Sequence, residues 1–180
     1  YKSRMLNLNN QQDDLDFKGF RGLALHPYPA TMPLPLATKL IDQYSSPMDL
    51  VFDPFMGSGT SLYAAKLLGR RSAGVDLNPL ACLIARARVR AVEDDLVSRL
   101  DRARSDVWEC YSQSSNPTLP NRIWQPRLDK WYGESQQEEL GKIATAITDA
   151  SLSGIGYDAI LLAFSRTARL CSNARPGELK

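Results

Sequence analysis

The stretch DLVFDPFMGSGTSLYAAKLLGRRSAGVDLNPLA, Asp49 to Ala81, decides how the chain is read. Leu50, Val51 and Phe52 form a short apolar run of the kind that makes a buried strand. Asp53-Pro54 stops the run, because Pro54 has no N–H to give to a ladder. Gly57 and Gly59 bracket Ser58 in a turn where larger side chains would hold a ligand at a distance. Thr60 to Leu68 has helical spacing, Gly69 is placed to end that helix in a left-handed cap, and Arg70-Arg71 begins the return. Ser72 to Val75 reads as a second strand, with Asp76 at its carboxyl end. Strand, crossover helix and strand in so short a span make a parallel, right-handed βαβ unit. The fold class is therefore α/β.

Such a unit is a nucleotide-type cradle. The glycine turn faces the N-terminus of the following helix, whose free N–H groups favour an anionic or carboxylate-bearing ligand. Asp76 follows the glycines at close to the roughly 20-residue spacing of an acid that grips ribose hydroxyls. A P-loop is excluded, since no Lys follows the glycines. A dinucleotide fingerprint is excluded too, because its third glycine position is Leu62.

DPFMGSGT followed by GVDLNP resembles motifs I and II of the S-adenosylmethionine-dependent DNA amino-methyltransferases, which modify adenine N6 or cytosine N4. HPYPATMPLPLATKLI, just upstream, resembles their motif X. The likeness is good over Leu25 to Val92 and loose beyond it. It implies a Rossmann-like methyltransferase fold and S-adenosylmethionine as cofactor. Carried onto this sequence, it places Asp53, Phe55, Gly57, Ser58, Gly59 and Thr60 around the methionine part of the donor. Asp76 would hold the ribose diol, Leu77 would pack on adenine, and Asn78 completes that end. Tyr28, Pro29, Ala30 and Thr31 would close the methionine end, although the family often has Lys where Thr31 stands.

The family's catalytic tetrapeptide, Asp/Asn/Ser-Pro-Pro-aromatic, occurs nowhere in the sequence. Asp53-Pro54-Phe55 and Asn78-Pro79-Leu80 are the nearest strings, and both belong to the cradle. Only two good strands accompany five or six helices, whereas a parallel sheet usually has several more and is covered on both faces. The expectation is an incomplete fold: a cofactor-binding half with a helical extension. The catalytic motif would then lie in a missing C-terminal segment or a second chain, leaving this chain alone inactive. DNA is the expected partner. The alternatives are an RNA base methyltransferase and a non-catalytic cofactor-binding subunit.

At 180 residues and 43% hydrophobic, the chain can bury a core, and its net charge of +2 does not by itself mark a polyanion partner. Cys82, Cys110 and Cys171 lack CxxC spacing, and with the single His26 they make no plausible zinc set, so no metal is expected. No secretory signal or membrane-length apolar run is present in the sequence, which makes a cytoplasmic location the expectation.

Residues 1–24 read as a polar arm, 25–92 as the donor-binding core, 93–172 as the helical extension and 173–180 as a tail. The prolines of Leu25 to Pro35 make an extended, stiff segment, with His26 a structural hydrogen-bonder at the pocket edge. Helix is expected from Leu36 to Tyr44, with Leu36, Leu40, Ile41 and Tyr44 on one face. Asn78-Pro79 starts another helix, running to about Val92, from which Arg86, Arg88 and Arg90 project toward solvent. Glu93-Asp94-Asp95 opens a helix to about Tyr111. Arg122, Trp124, Arg127 and Trp131 interleave cations with aromatics in the manner of a nucleic-acid clamp, though tryptophans plugging a groove between helices fit the segment better. Ser135 and Glu138 suggest a capping box for a helix to Ala150. Gly154 and Gly156 suggest a break before a final apolar helix, Tyr157 to Leu170.

Overall fold

Leu50–Asp53 (β1) and Arg71–Gly74 (β2) pair in parallel, Leu50 opposite Arg71 and Asp53 opposite Gly74. The computed structural model describes residues 26–29, 31–91, 95–114 and 128–174. The two strands are joined by the helix Thr60–Leu67 (α2) and preceded by Leu34–Tyr44 (α1). Then follow Pro79–Arg90 (α3), Leu96–Gln113 (α4), the short Leu128–Trp131 (α5), Glu134–Asp149 (α6) and Gly154–Cys171 (α7). The described part is mixed α/β, mostly helical, around a two-stranded sheet.

The punctuation of the sequence acts where it was expected to. Gly69 adopts φ +72°, its N–H donates to Lys66 O, and the Arg70 N–H donates to Ala65 O, closing α2 as a Schellman motif. Asn78 caps α3 by accepting the Leu80 N–H at 3.0 Å, with Pro79 as first helical residue. The second strand begins one residue earlier than Ser72, yet the Val75 N–H still reaches Asp53 O at 3.1 Å, so the ladder continues past the strand's formal end.

Four expectations are corrected. Helix α6 starts at Glu134, and Ser135 is not its cap; Gln136 Oε1 instead accepts the Gly133 N–H at 2.7 Å. Gly154 and Gly156 do not break the chain but form the first turn of α7. Gly156 is there because a Cβ would come within 2.9 Å of Ala103 Cβ, so α7 presses directly on α4. On α1 the buried residue is Ala37, while Leu36, Leu40 and Tyr44 are exposed. Finally, Arg86, Arg88 and Arg90 do not share one solvated face: Arg88 is buried on the glycine turn, while the partly exposed Arg86 and Arg90 both pair with Asp158.

The core joins both halves of the described chain. Ile84 and Ala87 of α3 are buried against Ile155 and Leu162 of α7, with Leu96 and Leu100 of α4 packed alongside. Burying each such side chain contributes roughly 1.5–3 kcal/mol relative to exposure. On the sheet, alternate residues differ: Val51 is half-buried, while Leu50 and Phe52 are exposed, Phe52 at 60%. Helix α2 lies on the covered side, and the face bearing Leu50 and Phe52 is open among the described residues. The arm 1–24, Ala30, Arg122, Trp124 and Arg127 lie outside the described residues.

Candidate functional site

The end of β2 and the glycine turn are tied together by one carboxylate. Asp76 accepts the Gly57 N–H on Oδ2 at 2.9 Å and the Asn78 N–H on Oδ1 at 2.8 Å. Each oxygen keeps lone pairs free, so the carboxylate can still accept hydroxyl hydrogens from a ligand. At the end of β1, Asp53 accepts the Phe55 N–H at 3.0 Å and the Ser61 hydroxyl, which fixes the entry to the turn. The Met56 N–H donates to Val75 O, clamping the turn onto the second strand.

Within the turn, Gly57 and Gly59 both take positive φ, +49° and +77°. A Cβ on Gly59 would lie 2.5 Å from Ala85 Cβ and 2.8 Å from Ala85 Cα, so α3 supports the turn from below at backbone distance. Ser58 and Thr60 are buried, and their hydroxyls accept from Arg88 Nη1 at 3.0 and 3.2 Å. Their side chains therefore face α3, leaving only backbone for any ligand. Burial pulls the Arg88 guanidinium below its usual value, opposed by the Tyr63 phenol, whose own value burial pushes up.

Beside Asp76 opens a groove of about 1640 Å³. One wall is His26 to Pro29, then Asp76 to Leu80, Leu83 and Arg86; the other is Tyr157, Leu161, Phe164 and Arg169 of α7, with Tyr132 at the edge. His26 joins the walls. Its Nδ1 sits 3.0 Å from Pro27 O and its Nε2 3.3 Å from Ser165 Oγ. A carbonyl at Nδ1 requires the proton there, and in that neutral tautomer Nε2 accepts from the serine. Thr31 Oγ1 donates to Tyr28 O at 3.2 Å, and Tyr28 Cε1 would meet a Cβ on Gly57 at 3.5 Å.

The sequence-predicted residues thus divide. Tyr28, Pro29, Asp76, Leu77 and Asn78 line the groove. Gly57 joins it through Asp76 and Tyr28. Phe55 and Leu77 are almost fully exposed. Trp131 is half-buried, carries Lys130 Nζ at 4.5 Å from its ring centroid, and accepts the Asn173 N–H on its carbonyl.

Sequence reasoning missed the far wall and its anchor. Asp158 of α7, 1% exposed, accepts Arg86 Nη2 at 3.1 Å and Arg90 Nη1 at 2.5 Å. The i, i+4 spacing of Arg86 and Arg90 was a usable signal of a shared partner.

Residues 3–87 match the family model described as DNA methylase. The Type II methyltransferase M.MvaI of Kocuria varians is 31% identical over 191 residues, covering 99% of this chain and 41% of that protein. These matches support the N6/N4 DNA methylase family. M.HpaI of Haemophilus parainfluenzae, also a Type II methyltransferase, is 30% identical over 122 residues, 66% of this chain and 38% of that protein. M.MjaII of Methanocaldococcus jannaschii, of the same type, is 35% identical over 66 residues, 37% of this chain and 12% of that protein. The chain spans about two-fifths of the length of the first of these relatives. No solved structure matches it. Among its described residues, no helix is long and apolar enough to cross a membrane, and no cluster of three or more His, Cys, Asp or Glu could hold a metal ion.

Proposed function

We propose that this chain is the methyl-donor-binding part of a DNA amino-methyltransferase that modifies adenine N6 or cytosine N4. S-adenosylmethionine, when bound, supplies an electrophilic methyl group on its sulfonium. The observation that carries the reading is Asp76, which bridges the glycine turn and the end of β2 while lining the groove.

The residues present fit such a donor. Asp76 has lone pairs to accept two ribose hydroxyls, and Leu77, Pro79, Leu80 and Leu83 give an apolar wall for a flat base. The backbone of Gly57 to Thr60 and the N-terminus of α2, whose first turn has no acidic residue, suit the amino-acid end. Asp53 and Phe55 stand at the entry of that turn, and Tyr28, Pro29, Ala30 and Thr31 would cover it. On this reading β1, α2 and β2 are the first unit of a Rossmann-like sheet. Residues 25–92 are the donor-binding core and 93–172 a helical extension.

Catalysis needs groups this sequence does not carry. No Asp/Asn/Ser-Pro-Pro-aromatic string occurs in it, so another segment or a second chain would accept hydrogen bonds from the target amino group and present it in line to the methyl. The face of Leu50 and Phe52, and the two strand edges, both open among the described residues, give that segment a place to pack. The flipped base would enter from the groove side.

The test is Asp76→Ala, followed by calorimetric titration with S-adenosylmethionine. Charge-assisted hydrogen bonds of about 1.5–3 kcal/mol each are lost, so affinity should fall at least roughly tenfold. Unchanged affinity would falsify the assignment. With the catalytic segment added, labelled methyl groups should pass to duplex DNA; transfer to tRNA instead would redirect the reading to RNA.

A further inference from the structure

We propose that Arg88 is the positioning cation of the donor site, holding the glycine turn from beneath and selecting ligands that carry a carboxylate. The proposal rests on the donor-site reading above. Arg88 lies on α3, is only 9% exposed, and spends Nη1 on three neutral acceptors: Ser58 O at 3.1 Å, Ser58 Oγ at 3.0 Å and Thr60 Oγ1 at 3.2 Å. Its Nε is buried with no hydrogen-bond partner.

The chain handles the other arginines of its packed elements differently. Arg70 is paired with Asp42, and Arg86 and Arg90 with Asp158. Arg88 has no carboxylate at pairing distance among the described residues, and Asp53, across the turn, is taken up by Ser61 and the Phe55 N–H. An uncompensated charge under low-dielectric cover is costly unless something anionic completes it. The N-terminus of α2 sits at the same turn and adds partial positive charge of the same sign. Both sources face the one stretch of backbone, Ser58 to Thr60, that the ligand's amino-acid end would meet. Arg88 touches no ligand itself; it acts through the turn and through its field.

The test compares two probes, S-adenosylmethionine and decarboxylated S-adenosylmethionine, by calorimetry on the full-length protein. Wild type should bind the first at least roughly tenfold more tightly than the second. Arg88→Met should weaken the first by about tenfold and change the second less than about threefold. Arg88→Lys, which keeps the charge, should retain most of the discrimination. Arg88→Gln, close in length, replaces Arg88→Met if circular dichroism shows that variant unfolded. Equal losses for both probes would mean a purely structural strut and overturn the proposal. A wild-type ratio near one overturns it whatever the variants do. Failure of wild type to bind either probe removes the donor-site reading itself, which is a separate outcome.

Discussion

Asp76 lies just before the N-terminus of α3 and Asp158 pairs with arginines along it, and the two regions they serve are built on opposite terms. Asp76 belongs to the β1–α2–β2 cradle, where it accepts backbone N–H groups and keeps an edge toward the groove. Asp158 belongs to the helical half, where it is sealed from solvent and met by two guanidinium groups. In the cradle, polar atoms are fixed by turns, and among the described residues the apolar strand residues stay uncovered and Arg88 meets no carboxylate. In the helical half, the buried Asp158 is matched by two arginines, and Ile155 and Leu162 are buried against α3. The buried carboxylate is fully answered by the α3 arginines; the cradle has interactions left to make. That is the expected division between a ligand-binding surface and the scaffold that holds it.

The contrast can be broken most forcefully at Gly59. Gly59→Ala combines a left-handed φ with a clash on the backbone of Ala85, and should cost about 3–4 kcal/mol in urea unfolding. Gly69→Ala shares the positive φ but meets nothing within 4 Å, so about 1 kcal/mol is expected. Similar losses at both sites would show that α3 does not brace the turn. Next comes Asp158→Asn, which leaves Arg86 and Arg90 facing each other. Removing one member of a fully buried pair costs about 3–5 kcal/mol, but these arginines are 49% and 37% exposed and can turn outward. A loss of about 2–3 kcal/mol is therefore expected, read as a lower urea midpoint at constant slope.

The smallest effect is expected on the outer face of the helical half. Glu139 of α6 accepts from Lys142 and from the Tyr111 hydroxyl of α4. Lys142 first, and Tyr111 second, hold the Glu139 carboxyl below the ordinary glutamate range. A depressed carboxylate stabilises the fold above its unfolded pKa and loses that contribution as pH falls through the folded value. The group is fully exposed, so Glu139→Gln should leave the melting temperature unchanged within error at pH 7. A drop of several degrees would mean that the clasp matters to the packing of α4 on α6.

What could be read from the sequence was what local chemistry decides. Gly69, Asn78-Pro79 and the two glycines of the turn stand where backbone geometry demands them, and they fixed the order of β1, α2, β2 and α3. What could not be read depends on contacts far along the chain. Arg88 differs from Arg86 and Arg90 only in the side of α3 it occupies, and nothing local says that a glycine turn 28 residues earlier lies beneath it. Gly156 looks like a breaker until α4 is seen pressing against it. The exposed stripe of α1 was legible as a stripe, but which side faces α2 was decided by Ala37. For the site, Asp76 and Tyr28 were visible in advance, whereas the α7 wall had no motif to announce it.

The contact between His26 and Ser165 links positions 139 residues apart. Because so long a loop has to close before that contact forms, the groove cannot assemble until α7 has been synthesised and has folded back onto the cradle. Nascent chains that have made the glycine turn and Asp76 but not yet α7 would hold half a binding surface, one that gains its second side only when α7 arrives.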